Sequence, residues 1–190
     1  MAIKTMSASV GGSKFEEGWH KVIISKAEYG VYESEIPDTD DKRYLDMWFE
    51  DYPDNMNLRA YEVFNKTTKE EFKVANIFKY ANAGIVGVLK DPNGKHPLIQ
   101  FDDEPKGLIG KTINIYVYKE NKSGNNYSRI FDSIAPIEQE GEHLTFKTTD
   151  VDSIKSGAEK RVKKMLEATA TPNGTTTMGT VDSEPFANQF

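Results

Sequence analysis

The strongest constraint on the fold is an alternation of side chains with a period of two over residues 110–137. In an extended strand, successive side chains point to opposite faces, so one face here is aliphatic and the other is polar and aromatic. The aliphatic positions are Ile113, Ile115 and Val117, and the opposite positions are Asn114, Tyr116 and Tyr118. The aliphatic face is the one that we expect to be buried.

A turn and a second strand follow in the same stretch. Residues 122–126 read Lys-Ser-Gly-Asn-Asn, which is typical of a tight turn. Beyond the turn, Ile130 and Ile134 are opposed by a second set of aromatic and basic side chains. The members of that set are Tyr127, Arg129 and Phe131. The stretch therefore predicts a β-hairpin with one aliphatic face and one face of aromatics and cations.

Three more strands and one helix are predicted before this hairpin. Residues 18–32 are rich in β-branched and aromatic side chains, which predicts a strand. A period-two pattern predicts a strand over residues 43–50, and a third strand is predicted over residues 57–64, where Arg59 and Tyr61 share a side. The apolar spacing then becomes helical, and we expect a helix that begins at Thr67 or Thr68 and ends before Gly84. A loop-rich segment is predicted between this helix and the hairpin, on the turn formers at 91–94 and 102–105.

Five strands with one helix between the third and the fourth is the connectivity of the OB-fold, a small Greek-key barrel. The sequence therefore predicts a mainly β protein built as a five-stranded OB-fold-like barrel, followed by a C-terminal helix and a disordered tail. The predicted regions are a flexible N-terminus over 1–14, a binding domain over 15–150, a basic helix over 151–168 and a disordered acidic tail over 169–190.

The non-aliphatic faces of the strands carry the candidate binding site. Aromatic rings stack on unpaired bases and cations attract phosphates, which is the chemistry that binds single-stranded nucleic acid. The candidate residues are Trp48, Arg59, Tyr61, Lys111, Tyr116, Tyr118, Lys119, Lys122, Tyr127, Arg129 and Phe131. A one-residue error in strand register would exchange stacking rings with core rings, so the individual roles stay open.

Composition excludes several other classes of function. The chain has 190 residues and no cysteine, so disulfides, thiolate metal sites and cysteine nucleophiles are absent. The three histidines lie far apart without metal-ligand spacing, and no nucleophile or phosphate-loop motif is present, so we expect no enzyme, no metal and no cofactor. The net charge of -6 argues against a uniformly basic surface but allows a local positive groove. Without a signal peptide, we expect a cytoplasmic protein.

The C-terminus combines acidic and aromatic residues. Such an exposed segment fits an apolar pocket with cationic groups on a partner protein. The candidate partner-binding residues are Asp182, Glu184, Pro185, Phe186 and Phe190. The element order, the aromatic strands and this ending together resemble single-stranded DNA-binding proteins. Residues 75–137 resemble the bacteriophage branch of that class. The four residues after Phe186 and the short acidic run depart from the bacterial pattern, whereas the terminal Phe190 is closer to the ending of some phage proteins.

The resemblance implies a protein that binds and protects single-stranded DNA and recruits replication or recombination proteins through its tail, in the host cytoplasm if it is phage-encoded. Weak sequence preference is expected, because every base has a π-face. Two alternatives remain: a β-barrel module for protein interaction or virion assembly, and a mediator that anneals complementary strands. The sequence leaves homo-oligomerisation open.

Overall fold

The computed structural model describes residues 15–33, 42–89, 98–122, 125–141 and 143–170. Within these ranges the protein is mainly β, with nine strands and two α-helices. The strands are β1 Gly18–Tyr32, β2 Lys42–Phe49, β3 Leu58–Tyr61, β4 Ile85–Leu89, β5 Leu98–Phe101, β6 Thr112–Lys122, β7 Asn125–Ala135, β8 Gln139–Glu140 and β9 Thr145–Phe146. The helices are α1 Lys73–Tyr80 and α2 Thr148–Ala170.

Five of the strands form one antiparallel sheet in the order β3-β2-β1-β6-β7. Strand β1 is shared, because residues 18–23 pair with β6 and residues 24–32 pair with β2. The pairing with β2 shifts by one residue between Ile24 and Lys26, which is typical of a β-bulge. The predicted hairpin is present as β6 and β7, which pair from Asn114 and Ala135 to the turn.

The face that the sequence predicted to be buried forms the core. Ile113, Ile115 and Val117 of β6 are fully buried. Ile113 and Ile115 belong to the same core cluster as the aliphatic side of β2 and β3 and as Phe78 of α1. The predicted alternation of β2 is also confirmed, since Leu45, Met47 and Phe49 are buried.

The two edge strands of the sheet, β3 and β7, approach each other. Some of their Cα atoms lie within 8 Å of one another. No ladder of hydrogen bonds joins these two strands within the described ranges, so the sheet is curled but is not a closed barrel there.

Helix α1 begins later than the sequence predicts. Thr67 and Thr68 belong to a turn in which the backbone N–H groups of both residues donate to the side-chain oxygen of Asn65. The carboxylate of Glu71 then accepts hydrogen bonds from the first backbone N–H groups of α1, those of Lys73, Val74 and Ala75. The prediction of a threonine cap was therefore wrong, because this glutamate satisfies the free donors at the helix start.

The segment that was predicted as loops contains a hairpin. Strands β4 and β5 pair antiparallel and form a two-stranded sheet of their own. Period-two burial is weak here because Val86 is 69% exposed and Gly87 has no side chain. A 3-10 turn, Pro105–Leu108, then leads into β6.

Helix α2 packs against β7 and begins at Thr148, three residues before the earliest predicted start. The carboxylate of Asp150 accepts a hydrogen bond from the backbone N–H of Lys147 at the helix start. Val151, Ala158 and Val162 form its buried stripe. The predicted lead-in over 1–14 and tail residues 171–190 lie outside the described residues.

Candidate nucleic-acid interface

The side chains of β1, β2 and β3 that point away from the core form a surface that we call the outer β1–β3 face. Cross-strand pairing brings three rows of residues together, because paired residues project to the same side of a sheet. The rows are Lys26 with Trp48, Glu28 with Asp46 and Arg59, and Gly30 with Tyr44 and Tyr61. The predicted site residues Trp48, Arg59 and Tyr61 therefore share one surface.

Tyr44 lies at the centre of an aromatic and cationic cluster. The guanidinium carbon of Arg59 lies 3.8 Å from the centre of the Tyr44 ring. The ring of Tyr61 meets it edge-on, with centroids 5.6 Å apart. A Cβ atom at Gly30 would overlap the far end of the Tyr44 ring. The ring can lie across β1 only because Gly30 has no side chain.

Asp46 holds Arg59 in this position. Its two carboxylate oxygens accept hydrogen bonds from Nε and Nη2 of Arg59 at 2.8 and 2.7 Å. The hydrogen bonds that Arg59 donates to Asp46 raise the pKa of Arg59 above its already high value. Asp46 is only 5% exposed, whereas the Arg59 side chain is 42% exposed. The carboxylate therefore fixes a guanidinium that still reaches solvent.

Trp48 is oriented by a second cation. The Nζ atom of Lys26 lies 4.3 Å from the centre of the Trp48 ring, and Trp48 Nε1 donates to the backbone oxygen of Asp54 at 3.1 Å. Lys26 also forms an exposed ion pair with Glu28 at 2.8 Å. The indole is half-buried, with its polar edge tied to the backbone.

The formal charges of these paired groups balance. Lys26 and Arg59 carry positive charge, and Glu28 and Asp46 carry negative charge. Both cations have exposed side chains, so a phosphate can approach either of them from solvent. Contact with a phosphate would then compete with the carboxylate partner.

A second group of predicted residues lies on the β6–β7 hairpin. It consists of Tyr118, Tyr127, Arg129 and Phe131, and we call it the hairpin aromatic group. Tyr118 and Phe131 meet edge-on with centroids 6.4 Å apart. Arg129 lies 5.9 Å from the Tyr127 ring and pairs with Glu120 at 3.2 Å. Tyr127 is 45% exposed. The ladder between β1 and β6 ends where Gly18 pairs with Val117, so Tyr118 and its partners on β7 lie beyond the end of β1 that is opposite to Gly30. They therefore form a group separate from the outer β1–β3 face.

Tyr116 belongs to neither group. Its ring packs edge-on against Trp19 at 5.3 Å, and Trp19 Nε1 donates to Glu159 of α2 at 2.7 Å. Its neighbour Asn114 is buried and donates to the backbone oxygen of Pro136. Helix α2 and the end of β7 therefore occupy this part of the sheet.

The predicted lysines are also separated. Lys119 donates to the backbone oxygen of Phe15 and to Ser128 Oγ, at 2.8 and 2.6 Å. Lys111 lines a cavity of about 420 Å³ together with Asp102 and His143, away from both aromatic groups. Lys122 ends β6, and its side chain lies outside the described part of the chain. The predicted tail residues Asp182, Glu184, Pro185, Phe186 and Phe190 lie outside it as well.

Sequence reasoning missed five members of the outer β1–β3 face, which are Lys26, Glu28, Gly30, Tyr44 and Asp46. Tyr44 has the same parity as Trp48 in the predicted strand, and that signal was sufficient to find it. Lys26 and Gly30 could not be assigned to this face from alternation alone, because the irregularity after Ile24 reverses the parity of the rest of β1.

No protein-family model matches the chain, and a search of the curated proteins found no match either. Among the described residues there is no group of three or more His, Asp or Glu side chains that could hold a metal ion. The helices in the described ranges are too short or too polar to cross a membrane.

Proposed function

We propose that this protein binds single-stranded DNA with little sequence preference, and that the outer β1–β3 face is the main binding surface. The observation that carries the proposal is that two tyrosine rings, an indole and two cations lie together on the outer β1–β3 face. Rings of this kind stack on bases, and cations beside them contact phosphates.

The fold that we propose for this function is an OB-fold-like barrel. The strand order β3-β2-β1-β6-β7 and a helix between β3 and the β6–β7 hairpin fit that architecture, as does the approach of β3 to β7. OB-folds bind oligonucleotides across the face of their second and third strands, which is where Trp48, Arg59 and Tyr61 lie.

In this proposal the protein protects single-stranded DNA during replication or recombination, as bacteriophage-type single-stranded DNA-binding proteins do. The acidic and aromatic C-terminus would recruit partner enzymes, and the protein would act in the host cytoplasm. A strand-annealing activity would use the same surface.

The competing proposal is a module that binds a protein through the same rings. The balanced charges of Lys26, Glu28, Asp46 and Arg59 favour this alternative, because a neutral aromatic face suits a protein partner as well as a nucleic acid. The two proposals differ in the effect of salt, since counterion release makes binding to DNA fall steeply as salt rises.

The test is a titration of fluorescein-labelled oligothymidine, followed by fluorescence anisotropy at two salt concentrations. We expect binding that weakens with salt, and we expect Tyr61→Leu to reduce affinity by roughly 5-fold or more, because a stacked base contributes about 1 to 3 kcal/mol. The matched control is Phe72→Leu, because both rings are 37% exposed and Phe72 lies outside the candidate face.

Two results would overturn the proposal. One is the absence of binding by the unchanged chain at low salt. The other is an equal effect of Tyr61→Leu and Phe72→Leu, which would show that the outer β1–β3 face does not hold the bases.

A further inference from the structure

Helix α2 has a basic face that neither the core nor the candidate interface uses. Lys160, Lys163 and Lys164 are exposed. Lys160 and Lys164 lie opposite to the buried stripe, and Lys163 lies at the edge of that side, about a quarter of a turn from Val162. With 3.6 residues per turn, residues 160 and 164 project about half a turn away from Val162. The rest of this side carries the small residues Ser153, Ser156 and Gly157, and Glu167 in the last turn.

These lysines have little ion pairing within the described residues. Lys163 approaches Glu167 at 4.0 Å, with both side chains more than half exposed. Lys160 and Lys164 make no ion pair there. Surface pairs of this kind contribute little, so the positive charge is available to a polyanion.

The basic face borders the hairpin aromatic group. Arg161 donates to Ser133 Oγ of β7 at 3.3 Å, and Ser133 lies two residues beyond Phe131 on the same strand. On the helix, Lys164 lies on the same side as Arg161 and toward solvent. Rings that can stack on bases and lysines that can contact phosphates are therefore adjacent on the outside of β7 and α2.

We infer that α2 and the hairpin aromatic group form a second contact surface for single-stranded nucleic acid, in which α2 binds the phosphates. This inference rests on the proposed function and adds a second site to it. The chain has a net charge of -6, so a concentrated basic surface is a specific feature rather than a property of the whole protein. A single-stranded DNA molecule long enough to pass beyond the outer β1–β3 face would bind both surfaces.

The test compares the triple variant Lys160→Gln, Lys163→Gln and Lys164→Gln with a control that changes Lys66, Lys69 and Lys106 to Gln. Both variants remove three positive charges at exposed positions, so the net charge changes equally. Binding is measured for oligothymidines of about 6 and about 30 nucleotides, which are near the lower limit and well beyond the site size of a single OB-fold.

We expect the triple variant of α2 to bind the short oligonucleotide with the affinity of the unchanged chain. Its binding to the long oligonucleotide should depend less on salt. Each phosphate contact on a single strand contributes about 0.7 to the slope of log affinity against log salt, so three lost contacts lower the slope by about 2. Between about 50 and 200 mM salt the unchanged chain would then lose roughly 20-fold more affinity than the variant.

If the unchanged chain binds DNA but the triple variant of α2 has the same salt slope as the control variant, this inference is overturned. Absence of binding by the unchanged chain would instead overturn both proposals. Equal losses for the short and the long oligonucleotide would also contradict a second surface, because only the long strand can reach it.

Discussion

The pairing of Asp46 with Arg59 gives a test of the outer β1–β3 face that does not depend on any ligand. Asp46→Asn keeps the size of the side chain, but it replaces one accepting oxygen by an amide that faces an Arg59 donor. One charge-assisted hydrogen bond is lost and the other is weakened.

The size of the stability change expected for Asp46→Asn depends on how far the Asp46–Arg59 pair is buried. Hydrogen bonds to charged groups stabilise by roughly 1.5 to 3 kcal/mol, and the 42% exposure of the Arg59 side chain reduces this through solvent screening. We expect Asp46→Asn to lower the free energy of unfolding by about 1 to 2 kcal/mol, which corresponds to roughly 2 to 8 °C in melting temperature for a chain of this size.

The assay is urea unfolding followed by circular dichroism, with Glu28→Gln as the control. Glu28 also pairs with a cation of the same face, but both partners are more than half exposed, so its loss should change stability by less than about 0.5 kcal/mol. Equal effects of the two variants would refute the idea that Asp46 holds Arg59 in place. If Arg59 contacts a phosphate, Asp46→Asn should also raise the slope of log affinity against log salt by about 0.7.

Three further predictions concern other parts of the chain. Gly30→Ala should move the Tyr44 ring and lower DNA affinity by roughly 5- to 150-fold in the oligothymidine titration, with little change in urea midpoint; unchanged affinity would contradict the role of the ring. Ile115→Ala should lower the free energy of unfolding by about 2 to 5 kcal/mol in urea, whereas Ile109→Ala, at a 49% exposed position, should cost less than about 0.5, and similar costs would contradict the assigned core. Burial, and then the Asp103 carboxylate, raise the pKa of Tyr29, so the stability that the neutral phenol contributes is complete below the unfolded pKa of about 10 and decreases above it. In urea unfolding at pH about 8 and 10.5, Tyr29→Phe should therefore lose less free energy of unfolding at the higher pH than the unchanged chain does. Equal losses would count against this coupling.

The β6–β7 hairpin could be predicted because its two faces differ strongly. A branched aliphatic at every second position leaves one register that buries them all, and Ile113, Ile115 and Val117 are fully buried in that register. Strand β2 followed from the same signal, since Leu45, Met47 and Phe49 alternate with the outward side chains, whereas β1 followed from its β-branched and aromatic content.

The β4–β5 hairpin could not be predicted in this way. Val86, Val88 and Leu98 are all exposed, so no buried face imposes an alternation on the sequence. The start of α1 was misplaced for a different reason. Thr68 is a residue type preferred at helix starts and Glu71 is not. Glu71 takes this place because its neighbourhood is fixed by tertiary contacts, a bridge with Phe64 and a hydrogen bond from the backbone N–H of Val63 to its carboxylate.

The candidate site was predicted in its residue types but not in its grouping. Tyr116 and Tyr118 have the same parity, yet α2 packs beside Tyr116 and leaves Tyr118 to the hairpin aromatic group. The position of α2 depends on contacts between residues far apart in the chain, such as Trp19 with Glu159, and no local pattern encodes these contacts. The pairing of Asp46 with Arg59 likewise requires the register between β2 and β3.

The most direct test of the central claim is to identify where single-stranded DNA touches the protein. An oligothymidine that carries photoreactive 5-iodouridine is crosslinked to the full chain, and the crosslinked peptides are identified by mass spectrometry. We predict crosslinks to Tyr44, Trp48 or Tyr61 that decrease when unlabelled oligothymidine competes. Crosslinks confined to the β4–β5 hairpin and α1, or none at all under conditions of measured binding, would contradict the assignment of the outer β1–β3 face.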